Sequence, residues 1–481
     1  MAMRFIVLLF LFPSFIIAQE TQVNLGAGPE SELYENDFLS SSFHKGRRRA
    51  LRELMMDNSV AVFFSNPIRN RSNDVNFEYH QDPNFYYLTG LNEPNSILLV
   101  FDKPRNVNGI EVEELLFVQE RDSAKEVWDG SRMGVQKAQE SLGIQKVYPA
   151  RLFREINLKL DDLDIITYSI SHDGIKDVKF NKEDLFNLRR QWEAHLFNAE
   201  DEKIKEKQYK FWLDALREVK EQDEMRLLKK AIDITCLAQI ELIKALKPGM
   251  TEYQSEGIIE YVFKVNGAEY PGFPSIQGSG QNSCVLHYQT NRKIMEGSNM
   301  LVSDVGAEYH GYTADITRTL PVNGKFSEAQ KEIYEIVLEA QNKGIEAAVV
   351  GANFWDTNIA ATTTVSQGLL KLGIIKKPSE MRRYFMHGTS HYLGLDVHDA
   401  GTYGKLKANS VITVEPGIYI PEGSPCDSKY WGIGVRIEDD ILITTDGPQI
   451  LSASIPREID ELEKLMAQPS GFEGLFNINV D

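Results

Sequence analysis

The sequence predicts a mixed α/β (α+β) protein of two domains. Three observations carry that prediction. The chain has 481 residues, 42% hydrophobic and 25% charged, which is several times an ordinary domain of roughly 150 residues and enough apolar material for full cores. Short β-branched runs bounded by Asn, Pro and Gly occur among amphipathic helical patterns. A strongly charged stretch, 182–224, contains neither proline nor glycine and separates two patterned regions.

The first twenty residues read MAMRFIVLLFLFPSFIIAQE. Arg4 makes a positive start, residues 5–17 form an uncharged run of thirteen, and Ala18 is a small residue at a cleavage position. A membrane span needs about 20 apolar residues, and this run is shorter and holds Pro13. A cleaved export signal over residues 1–18 is therefore expected. The protein would be exported, periplasmic or secreted, with no membrane attachment after cleavage.

Residues 37–180 read as a self-contained α/β unit: a helix over 37–56, then strands near 60–65, 96–101 and 114–119. The basic cluster at 45–49, with Arg52, reads as the wet face of that helix. Residues 181–220 read as a charged, solvated helical linker. A second domain is expected over 221–465. It opens with a helix in which Met225, Leu228, Ile232, Cys236, Ile240 and Ile243 recur at helical spacing until Pro248 and Gly249 stop it. A later helix starts at Ser327, where Ser327 and Gln330 form a capping box. Strands are expected at 300–305, 312–320, 411–414, 435–437 and 441–444. Two rounds of helix, helix, strands hint at a duplicated half-domain.

Seventy acidic residues against 52 basic ones leave a net charge of −18. A field of that sign repels phosphate backbones, so nucleic acid is not an expected partner. Three cysteines, Cys236, Cys284 and Cys426, build no disulfide framework and no zinc knuckle; small buried side chains are expected. The usual catalytic signatures are missing. GSGQNS (278–283) lacks the third glycine of a dinucleotide loop and reads as a turn. HGTSHY (387–392) has Tyr392 where a nucleophile elbow needs glycine. His387 and His391 have zincin spacing, but Gly388 stands where the glutamate belongs.

What remains is a distributed set of acids and one imidazole. Asp304 ends the apolar run MLVSD, and Asp315 follows eleven residues later in YTADITRT. Strands joined by a turn around 309–311 would bring the two carboxylates together. His391 lies in MHGTSHYLGLDVHD, Glu415 in ITVEPGIY and Glu438 in GVRIEDD. Each acid ends or interrupts a stretch that tends to be buried, where an unpaired carboxylate costs several kcal/mol. Four carboxylates and one imidazole suit two Mn(II), Co(II) or Zn(II) ions. Spacing alone leaves a second reading open, in which these residues are scattered among turns and ion pairs.

A resemblance decides between them. The text over 221–465 resembles the catalytic domain of the Xaa-Pro aminopeptidases (aminopeptidase P), in the pita-bread metallopeptidase group. The segments that carry it are GSGQNSCVLHY, LVSDVGAEYHGYTADITRTLPVNGKFSEAQ, FMHGTSHYLGLDVHD, TVEPGIYI and GIGVRIEDD. FHKGRRRALRE, DPNFYYLTGLNEP and RDSAKEVWDGSRMG are similar to the creatinase-like α/β domain that precedes it in that family. The stretch 182–224 and the tail beyond 466 carry no such likeness.

The resemblance implies a metal-dependent exopeptidase that releases the first residue of peptides with proline second, through a hydroxide bridging two divalent ions, Mn(II) before Co or Zn. It implies Asp304 on one ion, His391 and Glu415 on the other, and Asp315 and Glu438 as bridges, with Glu415 also the general base. His287 and His398 would contact the oxyanion and deliver the proton. His387 would be pocket wall or loop support. Arg436, two residues before Glu438, would orient the acids and face the substrate, or form a plain salt bridge. Tyr86, Tyr87 and Trp128 read as core rather than as contacts to a neighbouring active site. The family makes a homo-oligomer, dimer or tetramer, the expected state. A prolidase acting on dipeptides and a non-catalytic pita-bread binding module are the competing functions.

Overall fold

In a computed structural model, residues 37–170, 181, 183–197 and 199–472 are described; the expected export signal over 1–18 lies outside them. Strand alternation explains the first domain. Its five-stranded sheet runs Val147–Pro149, Ile110–Val118, Ile97–Val107, Ser59–Phe64, Ile165–Ser169 from edge to edge. Along Ser59–Phe64, Ala61 and Phe63 face one apolar cluster, and Val60, Val62 and Phe64 face another. Because successive side chains point to opposite faces, a continuous apolar run means a sheet covered on both sides.

One cover is the segment expected as a solvated linker, and here the expectation is corrected. Helix Leu185–Leu196 lays Leu185, Leu188 and Trp192, all buried, onto the second cluster. Helix Gln208–Arg217 buries Trp212 and Leu213. Both are amphipathic; apart from buried Arg217, their charges lie toward the outer faces and obscure an apolar stripe on each.

A second correction concerns the basic cluster. In helix Ser41–Leu54 the inward stripe is Phe43, His44, Arg48 and Leu51. Arg48 is 0% exposed and is gripped by Glu114 and by the carbonyls of Leu88 and Gly143. Trp128 is a third. It is 86% exposed, on helix Ser123–Asp129, which buries nothing. Tyr86 and Tyr87 are buried as expected. The three cysteines are unpaired; Cys236 is buried, Cys284 and Cys426 half-buried.

The second region repeats one element order. Helices Gln222–Ala245 and Glu252–Val265 precede an antiparallel sheet with Met300–Val305 between Ile276–Ser279 and Ile316–Pro321. Helices Glu328–Ala347 and Asp356–Lys371 precede a second one, with Asp439–Thr444 between Val411–Val414 and Gly447–Ile450. The Ser327–Gln330 capping box is present. GSGQNS completes a strand and turns through Gly280–Cys284. Strand Ile316–Pro321 of the first sheet meets the segment leading into Asp439–Thr444 where the Glu438 amide donates to the Thr317 carbonyl at 3.1 Å, and meets strand Ile433–Arg436 where Thr319 Oγ1 donates to the Arg436 carbonyl at 2.7 Å.

Candidate metal centre

Each expected carboxylate ligand sits in a strand or directly beside one, where backbone pairing holds it. Asp304 lies in Met300–Val305 opposite Thr317, and Asp315 precedes Ile316–Pro321. The chain between them pairs again at Tyr309 and Tyr312, so the expected hairpin is there. A Cβ at Gly306 would collide with the Ala314 carbonyl oxygen, so that crossing needs glycine. Glu415 follows Val411–Val414, its amide donating to the Thr389 carbonyl at 2.8 Å. Glu438 lies between Ile433–Arg436 and Asp439–Thr444.

His391 is oriented by its own backbone. Its Nδ1 donates to the Tyr392 carbonyl at 3.1 Å, which leaves the Nε2 lone pair facing Asp315 Oδ2 at 3.3 Å and Glu415 Oε1 at 3.6 Å. One atom each of Asp315, His391 and Glu438 lie within 4.8 Å of one another, a spacing that could hold a metal ion.

All nine residues expected at the site line one cavity of about 400 Å³. The structure therefore brings together Asp304, Asp315, His391, Glu415, Glu438, His287, His387, His398 and Arg436. Phe273, Pro274, Ile276 and Leu286 form an apolar wall. His398 packs edge-on against His391, ring centroids 4.5 Å apart, and its pKa is lowered by burial and by His391. His287 is at the exposed rim.

Arg436 donates to Asp304 Oδ2 at 2.6 Å and to Tyr419 Oη at 2.9 Å. That oxygen in turn lies 2.9 Å from His387 Nε2, whose Nδ1 lies 2.7 Å from the Gly388 carbonyl. Both ring nitrogens of His387 are thus engaged; it is pocket wall and loop support together. Burial, then Arg436, pushes its pKa down to about 4, so the ring is neutral.

The donor set fits cations. Asp304 Oδ1 and Glu438 Oε1 are buried and have no hydrogen-bond partner among the described residues. Burial first, and then the neighbouring acids, raises Asp315 and Glu438 well above the usual carboxylate range. Glu415 is pushed up to about 7, by burial first and by Asp315, against the pull of His391. Four carboxylates face one guanidinium, an imbalance that divalent ions relieve.

Three supporting residues had no motif of their own. Thr317 Oγ1 donates to Glu438 Oε2 at 2.7 Å, Tyr419 joins Arg436 to His387, and Asp440 Oδ2 accepts the Asp315 amide at 3.3 Å. Their only sequence signal is proximity to a ligand: Thr317 is two residues from Asp315 and Asp440 two from Glu438.

Residues 226–445 match Metallopeptidase family M24, and residues 44–162 match the domain described as Aminopeptidase P, N-terminal domain. The Xaa-Pro aminopeptidase of Escherichia coli is 38% identical over 436 residues, covering 87% of this chain and 96% of its own. The chain belongs to the aminopeptidase P branch of the M24 metallopeptidases. Human Xaa-Pro aminopeptidase 3 is 33% identical over 422 residues, 85% of this chain and 81% of its own. A solved proline aminopeptidase P II from Yersinia pestis superposes with a TM-score of 0.80 at 34% identity, covering 89% of this chain and all of that one. The expected fold class holds: an aminopeptidase P amino-terminal domain followed by an M24 pita-bread domain.

Proposed function

We propose that the protein removes the first residue from peptides whose second residue is proline. The observation that carries this reading is the convergence of five ligand-type side chains on one cavity, with two buried carboxylate oxygens left without partners. Asp304, Asp315, His391, Glu415 and Glu438 would hold two divalent ions, with Asp315 and Glu438 shared; four carboxylates and an imidazole favour Mn(II), with Co(II) or Zn(II) as substitutes. Such a pair polarises a carbonyl and lowers the pKa of bound water.

The chain's own residues supply the rest. Glu415 takes the proton of the attacking water as general base. His398 and His287 stand on the cavity wall to contact the oxyanion and to protonate the departing proline nitrogen. An Xaa-Pro amide carries no N–H, so the site needs no acceptor for one. The apolar wall of Phe273, Pro274, Ile276 and Leu286 offers surface to an apolar side chain or ring.

The test is to incubate protein supplied with manganese with an Xaa-Pro-Xaa-Xaa peptide, its alanine-second control and an Xaa-Pro dipeptide. Release of the first residue from the proline tetrapeptide alone, or from it faster than from the dipeptide, supports the reading. Cleavage of the dipeptide only would make it a prolidase, and no cleavage with two ions bound would leave a binding module.

Export after loss of residues 1–18 belongs to the same reading, and N-terminal sequencing of the protein from its producing cell tests it. So does a homo-oligomer, dimer or tetramer, supported by the exposed Val127 and Trp128; light scattering reads its mass. The net charge of −18 disfavours nucleic acid, and among the described residues no helix is long and apolar enough to cross a membrane.

A further inference from the structure

His391 and His398 lie on one irregular segment, and a buried charge cluster outside the cavity fastens that segment to the rest of the chain. Asp399, next to His398, is 3% exposed and accepts from Arg217 and, at 3.1 Å, from Lys220 Nζ. Both cations are buried: Arg217 ends helix Gln208–Arg217, and Lys220 lies in the short connection to helix Gln222–Ala245. Arg217 also donates to Asn84 Oδ1 at 2.7 Å, reaching the amino-terminal domain.

The surroundings are built for this contact. A Cβ on Gly394 would collide with Asp399 Oδ2, and the Asp399 amide donates to the Tyr392 carbonyl at 2.9 Å. The Gly394 carbonyl accepts from the Thr313 amide at 2.8 Å, two residues before Asp315. On the other flank, buried Glu218 accepts from the Thr402 amide at 2.7 Å, and the Lys220 amide donates to the Asn409 carbonyl at 2.9 Å. Burial alone would push the Asp399 carboxyl up, but Arg217 and Lys220 hold it below its ordinary value. It is a permanent anion locked between two cations.

His398 itself receives little support. Its amide donates to Asp396 Oδ1 at 3.3 Å, and its ring leans on His391. The anchor next to it must therefore set where its ring stands. We propose that Asp399, held by Arg217 and Lys220, is the positioning residue that fixes the His398 ring against the reacting bond. This rests on the peptidase reading above, with His398 acting on substrate.

The experiment compares kcat, KM and metal content on the proline tetrapeptide for Asp399→Asn, Arg217→Met and Arg217→Lys, each alone and combined with His398→Ala. Asp399→Asn and Arg217→Met should lower kcat by about 10–100-fold, the cost of an ångström-scale misplacement. KM and bound metal should hardly change, and Arg217→Lys should recover part of the loss. In the His398→Ala background, Asp399→Asn should cost nothing further, because the ring it positions is gone. A merely structural role would give full additive losses there, and that result overturns the proposal. So does full activity of both Asp399→Asn and Arg217→Met while His398→Ala is slow. Should Asp399→Asn fail to fold, the Arg217→Lys and Arg217→Met pair in both backgrounds makes the same decision. A wild-type protein that leaves the peptide intact would instead remove the peptidase reading itself.

Discussion

The hydroxyl of Thr317 donates to Glu438 Oε2 at 2.7 Å, while Glu438 Oε1, equally buried, has no partner among the described residues. One oxygen is aimed by the protein and the other is open to the proposed cation. Thr317→Val keeps the shape and removes the donor. The expected result is metal affinity weakened by about 10–100-fold, the usual effect of deleting a partner that orients a ligand. Activity should return at high metal concentration. A competition titration against a chelator measures this; unchanged affinity would mean that the backbone alone aims Glu438.

Metal-free protein should lose stability as pH rises from about 5 to 7. Burial pushes the Glu415 carboxyl up to about 7 in the folded chain and, with the neighbouring acids, raises Asp315 and Glu438 well above their ordinary values, whereas unfolded carboxyls release their protons near about 4. Between those values the folded state holds protons that the unfolded state has lost. Their stabilisation is complete below the unfolded pKa and declines as pH rises, by about 1.4 kcal/mol per pH unit for each such proton. Bound divalent ions ionise the acids and remove this slope. Melting temperatures over a pH series, in chelator and in manganese, measure both. A metal-free melting temperature that rises from pH 5 to 7 would contradict the account.

His398 and His387, two of the cavity's histidines, should separate by role. His398→Ala should lower kcat by about 10²–10⁴-fold, the range for losing a general acid or base, with both ions retained. His387→Ala should cost only about tenfold or less, since what it loses is a part-buried hydrogen bond to Tyr419 worth about 0.5–1.5 kcal/mol. Tyr419→Phe breaks the same chain between Arg436 and His387, so its effect should match and should not add to that of His387→Ala. Metal analysis beside steady-state kinetics distinguishes these cases. Loss of an ion from His398→Ala would move His398 among the ligands.

The candidate ligand acids stood out in the sequence because each ends or interrupts an apolar, β-branched run where a buried charge demands a partner, but it was the family resemblance, not that pattern, that favoured a metal set over scattered ion pairs. Asp304 and Asp315 could even be paired through their turn. Thr317 and Tyr419 were not legible: a hydroxyl's partner is set by how two distant strands meet, which no local pattern encodes. The helices of 181–220 and the burial of Arg48 were misread for another reason. Charge density drew attention to the outer faces, although Leu185, Leu188 and Trp192 recur at helical spacing, as do His44, Arg48 and Leu51. Counting charges without placing them on a helix face loses that stripe.

Arg48 shows what the difference means for stability. Its guanidinium donates to Glu114 at 2.8 and 3.1 Å, to the Leu88 carbonyl at 2.7 Å and to the Gly143 carbonyl at 2.9 Å. One side chain thereby ties the first helix to the five-stranded sheet, to helix Pro83–Thr89 and to the loop at Gly143. Arg48→Met would fill most of the volume but leave Glu114 with only Arg52 and the Gln145 amide as partners. Removing one partner of a buried pair costs about 3–5 kcal/mol, and the same change at the neighbouring exposed Arg49, whose contact to Glu53 is 3.9 Å, should cost less than about 0.5 kcal/mol. Denaturant unfolding of the two variants side by side measures the contrast. Equal, small effects would mean that the first helix is held by Phe43 and Leu51 alone.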